Sequence, residues 1–215
     1  MENLDLLLLC REFNKNQPGL TMVYVINGIN FHGIYKFHSI EPTYGIEIKD
    51  EYLLRIELDF DYPNELPMVY EVGNKIEKYS HKYDNDALCL GVDSEIRLFL
   101  KQNCNLRIFM DTYVTNYLFN YSAYQKYGFL PLGERSHHNG GVKEFYQEYF
   151  VIADVRRIAN LLRNVISNPH ISQNEFCVCG SGKRGKSCHW DKIKSLIEAI
   201  PIQLLKKDLE SLEGR

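Results

Sequence analysis

Alternating apolar and polar residues predict a β-sheet in the first third of the chain. The alternation is clearest between residues 52 and 60, where Leu54, Ile56 and Leu58 are separated by charged residues. A period of two places one face of a strand in a core and the other face in solvent. Other segments of strand-like composition are 21–26, 33–38, 44–48 and 68–72. Because short turns separate these segments, we expect an antiparallel meander.

Segments with the apolar spacing of helices lie before and after this region. Residues 1–14 form a short amphipathic segment that ends at the turn signal Asn16-Gln17-Pro18-Gly19. Segments with helical spacing in the second half are 106–121, 142–167 and 189–212, the last interrupted near Pro201. Residues 73–105 follow neither period, so we expect something other than a sheet there. The order of helix, strands and helices predicts an α+β fold.

The composition is that of a folded, slightly acidic protein. The chain has 215 residues, of which 45% are hydrophobic, and its net charge is -3. The lack of a basic excess argues against a general nucleic-acid binder. The longest apolar run near the N-terminus, Leu6–Cys10, is short and follows acidic residues. We therefore expect neither a signal peptide nor a membrane span, and a cytoplasmic location.

Charge is distributed unevenly along the chain. Residues 176–215 carry eight Lys or Arg against five Asp or Glu, a net charge of +3, which leaves -6 for residues 1–175. Such a shift is typical of a main domain that carries a small basic appendix. We predict a main domain over residues 1–168 and a small C-terminal unit over residues 169–215.

Four residues near the C-terminus have the spacing of a metal site. Cys177 and Cys179 are followed by a glycine-rich loop and then by Cys188 and His189. This run resembles the SEC-C zinc motif, which has the pattern CxC, a GSGKK-like loop, and CH or CC. Three thiolates and an imidazole form a closed tetrahedral shell, so we expect a structural Zn2+ rather than a catalytic one.

The purpose of this zinc-binding unit has two interpretations. In other proteins the motif acts as an adaptor for protein or nucleic-acid partners, and Lys183, Arg184 and Lys186 would give it a basic face here. Alternatively, the unit is a stabilising cap packed on the main domain. The sequence favours neither interpretation.

Three segments in the middle of the chain resemble the ubiquitin-conjugating (E2-like) enzymes. They are Asp61-Tyr62-Pro63-Asn64-Glu65-Leu66-Pro67-Met68-Val69, Tyr79-Ser80-His81 and Leu88-Cys89-Leu90-Gly91. The resemblance covers residues 1 to about 165. It implies a ubiquitin-conjugating-enzyme-like fold, with an N-terminal helix, an antiparallel four-stranded meander, a His-containing loop, a catalytic cysteine and helices that pack across the sheet.

The resemblance makes Cys89 the candidate nucleophile. A covalent carrier needs an accessible thiolate that accepts an acyl group and later gives it to an amine. The alternative is that Cys89 is a small buried hydrophobic residue, which is the commoner fate of an unpaired cysteine. His81 would organise the loop by hydrogen bonding rather than act as a general base. No comparable pattern surrounds Cys104, which we expect to be structural.

The supporting residues depart from the family pattern. The family has His-Pro-Asn where this chain has His81-Lys82-Tyr83. Support for the oxyanion would therefore come from Asn85, from a backbone N–H near Gly91, or from neither. Asp93 would orient an incoming lysine or lower the pKa of its amine. The alternative is that Asp93 is simply solvated.

A second loop refines the resemblance. Residues 127–141 look like a feature of bacterial E2-like proteins encoded in anti-phage operons. This loop either is an exposed connector or places His137 or His138 beside the thiol or a partner's tail. For an E2-like protein of a CBASS operon, the resemblance implies that Cys89 forms a thioester with the C-terminal tail of a cGAS-like nucleotidyltransferase and transfers it to lysine, which would regulate anti-phage signalling.

Two other functions stay open. The cargo of Cys89 could instead be a bacterial ubiquitin-like modifier, or the chain could be a non-catalytic E2-like binding module. The chain has no Walker-type loop, so activation with ATP would come from a separate protein or be unnecessary. We expect no membrane partner, and the acidic main domain makes a nucleic-acid partner unattractive.

Overall fold

Four strands form one antiparallel sheet whose spatial order follows the chain. The structure, a computed structural model, describes residues 3–76, 81–133, 136 and 139–214. The first elements are α1 (Asn3–Lys15), β1 (Leu20–Val25), β2 (Gly28–Glu41), β3 (Ile46–Asp59) and β4 (Met68–Glu71). The sheet order is β1-β2-β3-β4 with antiparallel pairing throughout. The α+β class and the four-stranded antiparallel sheet are therefore confirmed.

The two central strands are longer than the sequence pattern predicted. β2 and β3 have 14 residues each. They pair without interruption from Gly28 opposite Asp59 to Glu41 opposite Ile46. A long continuous ladder supplies partners for backbone groups even where the side-chain alternation is weak.

One face of the sheet is apolar and the other carries charges. Phe31 of β2 pairs with Ile56 of β3, and both side chains are fully buried. α1 packs on this face, with the ring centroid of Phe13 5.2 Å from that of Phe31 in an edge-on arrangement. On the opposite face, Lys36 and Glu51 form a cross-strand ion pair at 3.0 Å. The sheet contributes one side to the core, as its period of two predicted.

Further helices pack on the apolar face. They are α3 (Leu106–Phe109), a π-helical turn (Met110–Val114) and α4 (Thr115–Tyr127). The hydroxyl of Tyr35 on β2 hydrogen-bonds with Thr115 at 2.8 Å, and that of Tyr52 on β3 hydrogen-bonds with Ser122 at 2.6 Å. Gly128 ends α4 in the left-handed conformation, with a φ of 78°. The helix predicted from residue 106 is confirmed and continues six residues further, to Tyr127.

The chain forms two compact units. The first comprises Met1–Leu90 and Gln102–Glu134, and the second comprises Gly91–Lys101 and Arg135–Arg215. Helices of the second unit are α2 (Asp93–Gln102, apart from its last residue), α5 (Asn139–Phe150), α6 (Val155–Ser167), α7 (Trp190–Ala199) and α8 (Ile202–Glu213). The predicted boundary after residue 168 lies inside the second unit.

A shared hydrophobic core joins the residues on the two sides of position 168. Leu161 and Leu162 of α6 are buried in one hydrophobic cluster with Ile193 of α7 and Leu205 of α8. Cys177 and Cys179 also belong to this cluster. The residues of the metal motif therefore share a hydrophobic core with α6, α7 and α8.

The continuous helix predicted over residues 142–167 is two helices in the structure. Val151 separates α5 from α6, with a φ of 57° and a side chain that is 82% exposed. Asp154 then caps α6, because its side chain accepts a hydrogen bond from the Arg156 N–H at 2.9 Å. The interruption predicted near Pro201 is confirmed, since this residue lies between α7 and α8. Within the described residues, no helix is both long and apolar enough to cross a membrane.

Candidate functional site

Cys89 lies at the end of a small β-hairpin formed by residues 81–89. Lys82 pairs with Leu88 in an antiparallel bridge. Next to this bridge, the Cys89 N–H donates a hydrogen bond to the His81 carbonyl at 2.9 Å. The structure therefore brings together the backbones of two residues that the sequence singled out, His81 and Cys89.

The tip of the hairpin is a three-residue turn. The Tyr83 N–H donates to the Ala87 carbonyl at 2.8 Å, and the Asp86 N–H donates to the Tyr83 carbonyl at 2.9 Å. Asp86 has a φ of 66°, in the left-handed region. A three-residue hairpin turn requires one residue in this conformation, and Asp tolerates it. The side-chain carbonyl of Asn85 accepts a hydrogen bond from the Ala87 N–H at 3.2 Å. Asn85 thus stabilises the turn.

The hairpin is attached to the outer edge of β4. The Leu88 N–H donates to the Val69 carbonyl at 2.8 Å, and Tyr70 pairs with Ala87 in an antiparallel bridge. Ala87 and Leu88 are both buried. They act as a short extra strand, which fixes the backbone immediately before Cys89.

The carbonyl of His81 connects the hairpin to α4. It accepts a hydrogen bond from the Tyr117 hydroxyl at 2.9 Å in addition to the one from the Cys89 N–H. A carbonyl oxygen has two lone pairs, so both donors are accommodated. The main chain of His81 therefore organises this loop. Sequence reasoning missed Tyr117, which is one of many tyrosines and belongs to no motif.

The thiol of Cys89 is half-buried, as is Leu90, whereas Leu88 is buried. Burial therefore decreases along the chain from Ala87 and Leu88 to Cys89 and Leu90, without a period of two. Cys10 shows the contrasting environment: it is fully buried, and burial raises the pKa of its thiol to about 12. Of these two cysteines, Cys89 is the one in reach of solvent.

The other candidates have different positions. Asp93 is exposed and begins α2 in the second compact unit. Cys104 is half-buried, and burial raises the pKa of its thiol. His137 and His138 lie outside the described residues, as do Tyr79 and Ser80 of the family-like segment.

The four predicted metal ligands come together in the second unit. The ligand atoms of Cys177, Cys179, Cys188 and His189 all lie within 4.8 Å of one another. His189 Nδ1 is 3.2 Å from the Sγ of Cys188 and 3.6 Å from that of Cys177, and the Sγ atoms of Cys179 and Cys188 are 3.5 Å apart. This arrangement could hold a metal ion.

The glycine-rich loop brings the two ligand pairs together. The Cys177 N–H donates to the Lys183 carbonyl at 2.8 Å, and the Gly180 N–H donates to the Cys177 carbonyl at 3.1 Å. Gly180 and Gly182 have φ values of 76° and 72°, which side-chain-bearing residues adopt rarely. The chain can therefore turn sharply between Cys179 and the second ligand pair.

The orientation of His189 is set by a backbone group. Its Nε2 lies 2.9 Å from the carbonyl oxygen of Phe150, which can only accept a hydrogen bond. Nε2 therefore carries the proton, and the lone pair of Nδ1 points to the thiols. The Phe150 ring also contacts the imidazole edge-on, with centroids 5.7 Å apart. Such an outer hydrogen bond is usual for a histidine that binds a metal.

Two of the thiols have pKa values shifted in opposite directions. Burial raises the pKa of Cys177 to about 11. Burial also opposes ionisation of Cys179, but hydrogen bonds from the Ser181 hydroxyl and from the Cys177 thiol outweigh it and lower its pKa to about 6. Of Cys177 and Cys179, the latter is therefore the more readily ionised, and the thiolate is the form of cysteine that binds a cation.

The cluster is also anchored from outside the motif. The Arg157 guanidinium on α6 donates to the Cys179 carbonyl at 3.2 Å. Sequence reasoning missed both Arg157 and the carbonyl of Phe150, because neither is part of the motif. Comparisons with protein-family models, with curated proteins and with solved structures give no match for this chain.

Proposed function

We propose that this chain is an E2-like cysteine acyl carrier that also contains a structural zinc ion. Cys89 forms a thioester with the C-terminal tail of a partner and transfers this tail to lysine. The partner that the sequence resemblance suggests is a cGAS-like nucleotidyltransferase, in anti-phage signalling of the CBASS type. The observation that carries the proposal is the hairpin of residues 81–89, which ends in a half-buried thiol at the edge of the four-stranded sheet.

Rigidity of the hairpin supports a role in covalent chemistry. A nucleophile works best on a backbone that is fixed before the substrate arrives. Here the backbone is fixed by the hydrogen bonds of Leu88 to Val69, of Cys89 to His81 and of Tyr117 to His81. Cys89 is half-buried, whereas Cys10 is sealed in the core.

The reaction has two steps. The thiolate of Cys89 attacks the carbonyl carbon of an activated tail, the S–C bond forms, and the activating group leaves with the electron pair of its bond. A lysine amine then attacks the thioester carbonyl, the N–C bond forms, and Cys89 leaves as thiolate while the amine proton passes to solvent. The first step needs a tail whose terminal carboxyl already carries a leaving group, because a free carboxylate does not condense with a thiol.

Support for the oxyanion would come from Asn85, which lies in the turn at the opposite end of the hairpin from Cys89, from a backbone N–H near Gly91, or from neither. The Asn85 side-chain oxygen already accepts the Ala87 N–H. The amide NH2 of Asn85 is thus the donor that this side chain can offer.

The test is intact mass spectrometry of the chain purified without reductant from cells that express its operon. We expect an adduct on the wild type that dithiothreitol removes. Cys89→Ser should carry the same added mass as an oxygen ester that resists dithiothreitol but is cleaved by base. The added mass identifies the cargo, either the nucleotidyltransferase or a ubiquitin-like modifier.

Cys104→Ser is the matched control, because Cys104 is also half-buried and lies in the same compact unit. It should keep the thiol-labile adduct. If Cys104→Ser carries no adduct, the assignment of Cys89 as the nucleophile is wrong. Absence of any adduct on a chain that still binds zinc would reject the carrier and favour a non-catalytic binding module.

The zinc ion is proposed from the donor set. Three thiolates and one imidazole favour zinc among common cellular cations and leave no position for water. For Zn–S and Zn–N bonds of about 2.3 and 2.0 Å, the edges of a tetrahedron are roughly 3.5–3.8 Å. The distances of 3.2, 3.5 and 3.6 Å between ligand atoms are close to this range. The ion would stabilise the second unit and take no part in the chemistry of Cys89.

A further inference from the structure

The two edges of the sheet are covered differently. The outer edge of β4 pairs with the hairpin through Tyr70 and Ala87 and through the hydrogen bond from Leu88 to Val69. In the part of the chain that the structure describes, β1 pairs with β2 alone. An uncovered edge presents a row of backbone donors and acceptors that can pair with another strand.

The hydrogen-bond pattern identifies the groups that face outwards. The Ile34 N–H donates to the Gly19 carbonyl at 2.9 Å, and Leu20 lies opposite Gly33. In an antiparallel pair, hydrogen-bonded positions alternate, so the odd-numbered residues of β1 bond to β2. The N–H and C=O groups of Met22 and Tyr24 therefore point away from the sheet.

Apart from Thr21, the exposed side chains of β1 are apolar. Val23, Tyr24, Val25 and Ile26 are 46%, 55%, 41% and 96% exposed. No charged residue and no proline occurs between residues 19 and 27. Proteins usually protect a bare edge with lysine, proline or a bulge. β2 does carry an exposed charged residue where it continues beyond β1, at Lys36, so the lack of protection is specific to β1.

We propose that β1 pairs with β1 of a second copy of this chain, antiparallel and across a two-fold axis. Met22 of each chain exchanges two hydrogen bonds with Tyr24 of the other, and the two Val23 residues face each other at the axis. This register uses the outward-facing groups of both residues and extends the sheet without changing its antiparallel order.

The chemistry of the strand favours a second copy as the occupant. A two-fold interface places each residue opposite a residue of the same segment, so any charge would meet a like charge. β1 has no charge to create this conflict. Self-pairing also covers Val23 and Val25 on one face and Tyr24 on the other. A charged peptide would gain no partner here for its charges.

Sedimentation velocity of the zinc-loaded full chain, over a range of concentrations, tests the proposal. We expect the wild type to be a dimer and Val23→Lys and Val23→Glu each to be monomeric, with dissociation constants raised at least about tenfold by the opposed like charges. An equimolar mixture of the two variants should form a heterodimer. Val23 pairs with Asn30 on the face away from the helices, so the core is not disturbed.

A second pair of variants tests the backbone directly. Met22→Pro removes an N–H that points outwards and that β2 does not use, so the strand tolerates it while the dimer is lost. Met22→Ala shortens the same side chain but keeps the N–H, and should remain dimeric. Circular dichroism verifies the fold of each variant. A wild type that is monomeric throughout the range, or a dimer that survives both lysine and glutamate at position 23, would overturn the proposal.

Discussion

The two cysteine sites of this chain are built in opposite ways. Cys89 is a single thiol, and the groups that position it are backbone amides and carbonyls of residues 69, 81 and 88. The cluster at residues 177–189 consists of four side chains, and they lie within 4.8 Å of one another because a loop with two left-handed glycines permits it. One site is therefore defined by where the main chain runs, and the other by which side chains meet.

This difference determines how each site should respond to mutation. A cluster held by a shared ion loses its structure when one ligand is removed, since the other three cannot complete the shell. A thiol held by the main chain loses its chemistry when it is replaced, but the hairpin keeps its hydrogen bonds. We therefore expect the Cys177–His189 cluster to act as a stability element and Cys89 to be replaceable without unfolding.

Removal of one metal ligand should give the largest effect. Cys179→Ser should reduce zinc content from one ion per chain to near zero and lower the free energy of unfolding by at least about 3 kcal/mol, because structural zinc contributes roughly 10–16 kcal/mol in small domains. Elemental analysis and chemical denaturation measure the two quantities. Cys89→Ser is the control and should keep both its zinc and its stability. If Cys179→Ser retains zinc, the ligand set is wrong.

Replacement of His189 by another metal-binding residue measures what its hydrogen bond to the Phe150 carbonyl contributes. His189→Cys supplies a fourth thiolate but cannot donate to the Phe150 carbonyl, which His189 Nε2 now does at 2.9 Å. We expect zinc to be retained with an affinity lower by roughly 10–100-fold, the usual cost of losing such a partner. Competition with a chromogenic chelator measures the affinity. An unchanged affinity would show that the Phe150 carbonyl contributes nothing to the site.

Removal of the Tyr117 hydroxyl tests how the hairpin that carries Cys89 is held. Tyr117→Phe removes the hydrogen bond to the His81 carbonyl and should lower the free energy of unfolding by about 1 kcal/mol. The hairpin should also loosen, so Cys89 should react faster with a thiol reagent. Tyr124→Phe is the control on the same helix, because the Tyr124 side chain is 46% exposed. Equal reactivity of Cys89 in both variants would mean that Tyr117 does not restrain the hairpin.

The smallest effect is expected at a buried carboxyl of the second unit. Asp208 accepts hydrogen bonds from the hydroxyls of Ser94, at 2.5 Å, and Tyr146, at 2.7 Å, and its burial raises its pKa. A raised pKa in the folded state means that the neutral form is preferred there, so this carboxyl adds stability as pH falls from neutral through its folded pKa. Asp208→Asn preserves the shape and an acceptor oxygen but removes this dependence.

Denaturation of the wild type and Asp208→Asn at several pH values measures the difference. The asparagine variant should be the more stable protein at neutral pH, and its advantage should shrink as pH falls. Protonation of the metal ligands affects both proteins equally and cancels in the comparison. An advantage that grows towards low pH would contradict the raised pKa of Asp208.

The sequence predicted the sheet and the metal cluster because each leaves a signature in residue types. The alternation at 54, 56 and 58 follows directly from the burial of one face, and the spacing of the cysteines follows from the loop that joins them. The hairpin of residues 81–89 leaves no such signature. Its stem is held by amide groups, and its left-handed turn residue is an aspartate rather than a glycine.

Long-range packing was the second obstacle to prediction. The division at residue 168 followed charge, but the burial of Leu161 and Leu162 with Ile193 depends on contacts far apart in the sequence. The helix over 142–167 was predicted as continuous because apolar residues keep helical spacing on both sides of Val151, although the backbone of Val151 is left-handed. Neither the partner of a buried side chain nor the backbone angle of a valine can be derived from periodicity.

The covering of β4 by the hairpin also sets an order of events during synthesis. β4 ends at Glu71, and Ala87, which pairs with its outer edge, leaves the ribosome 16 residues later. At 5–20 residues per second, the nascent sheet has an unshielded final strand for about 1–3 s. During this interval the growing chain presents two open edges to neighbouring nascent chains, and the arrival of Cys89 coincides with the closing of one of them.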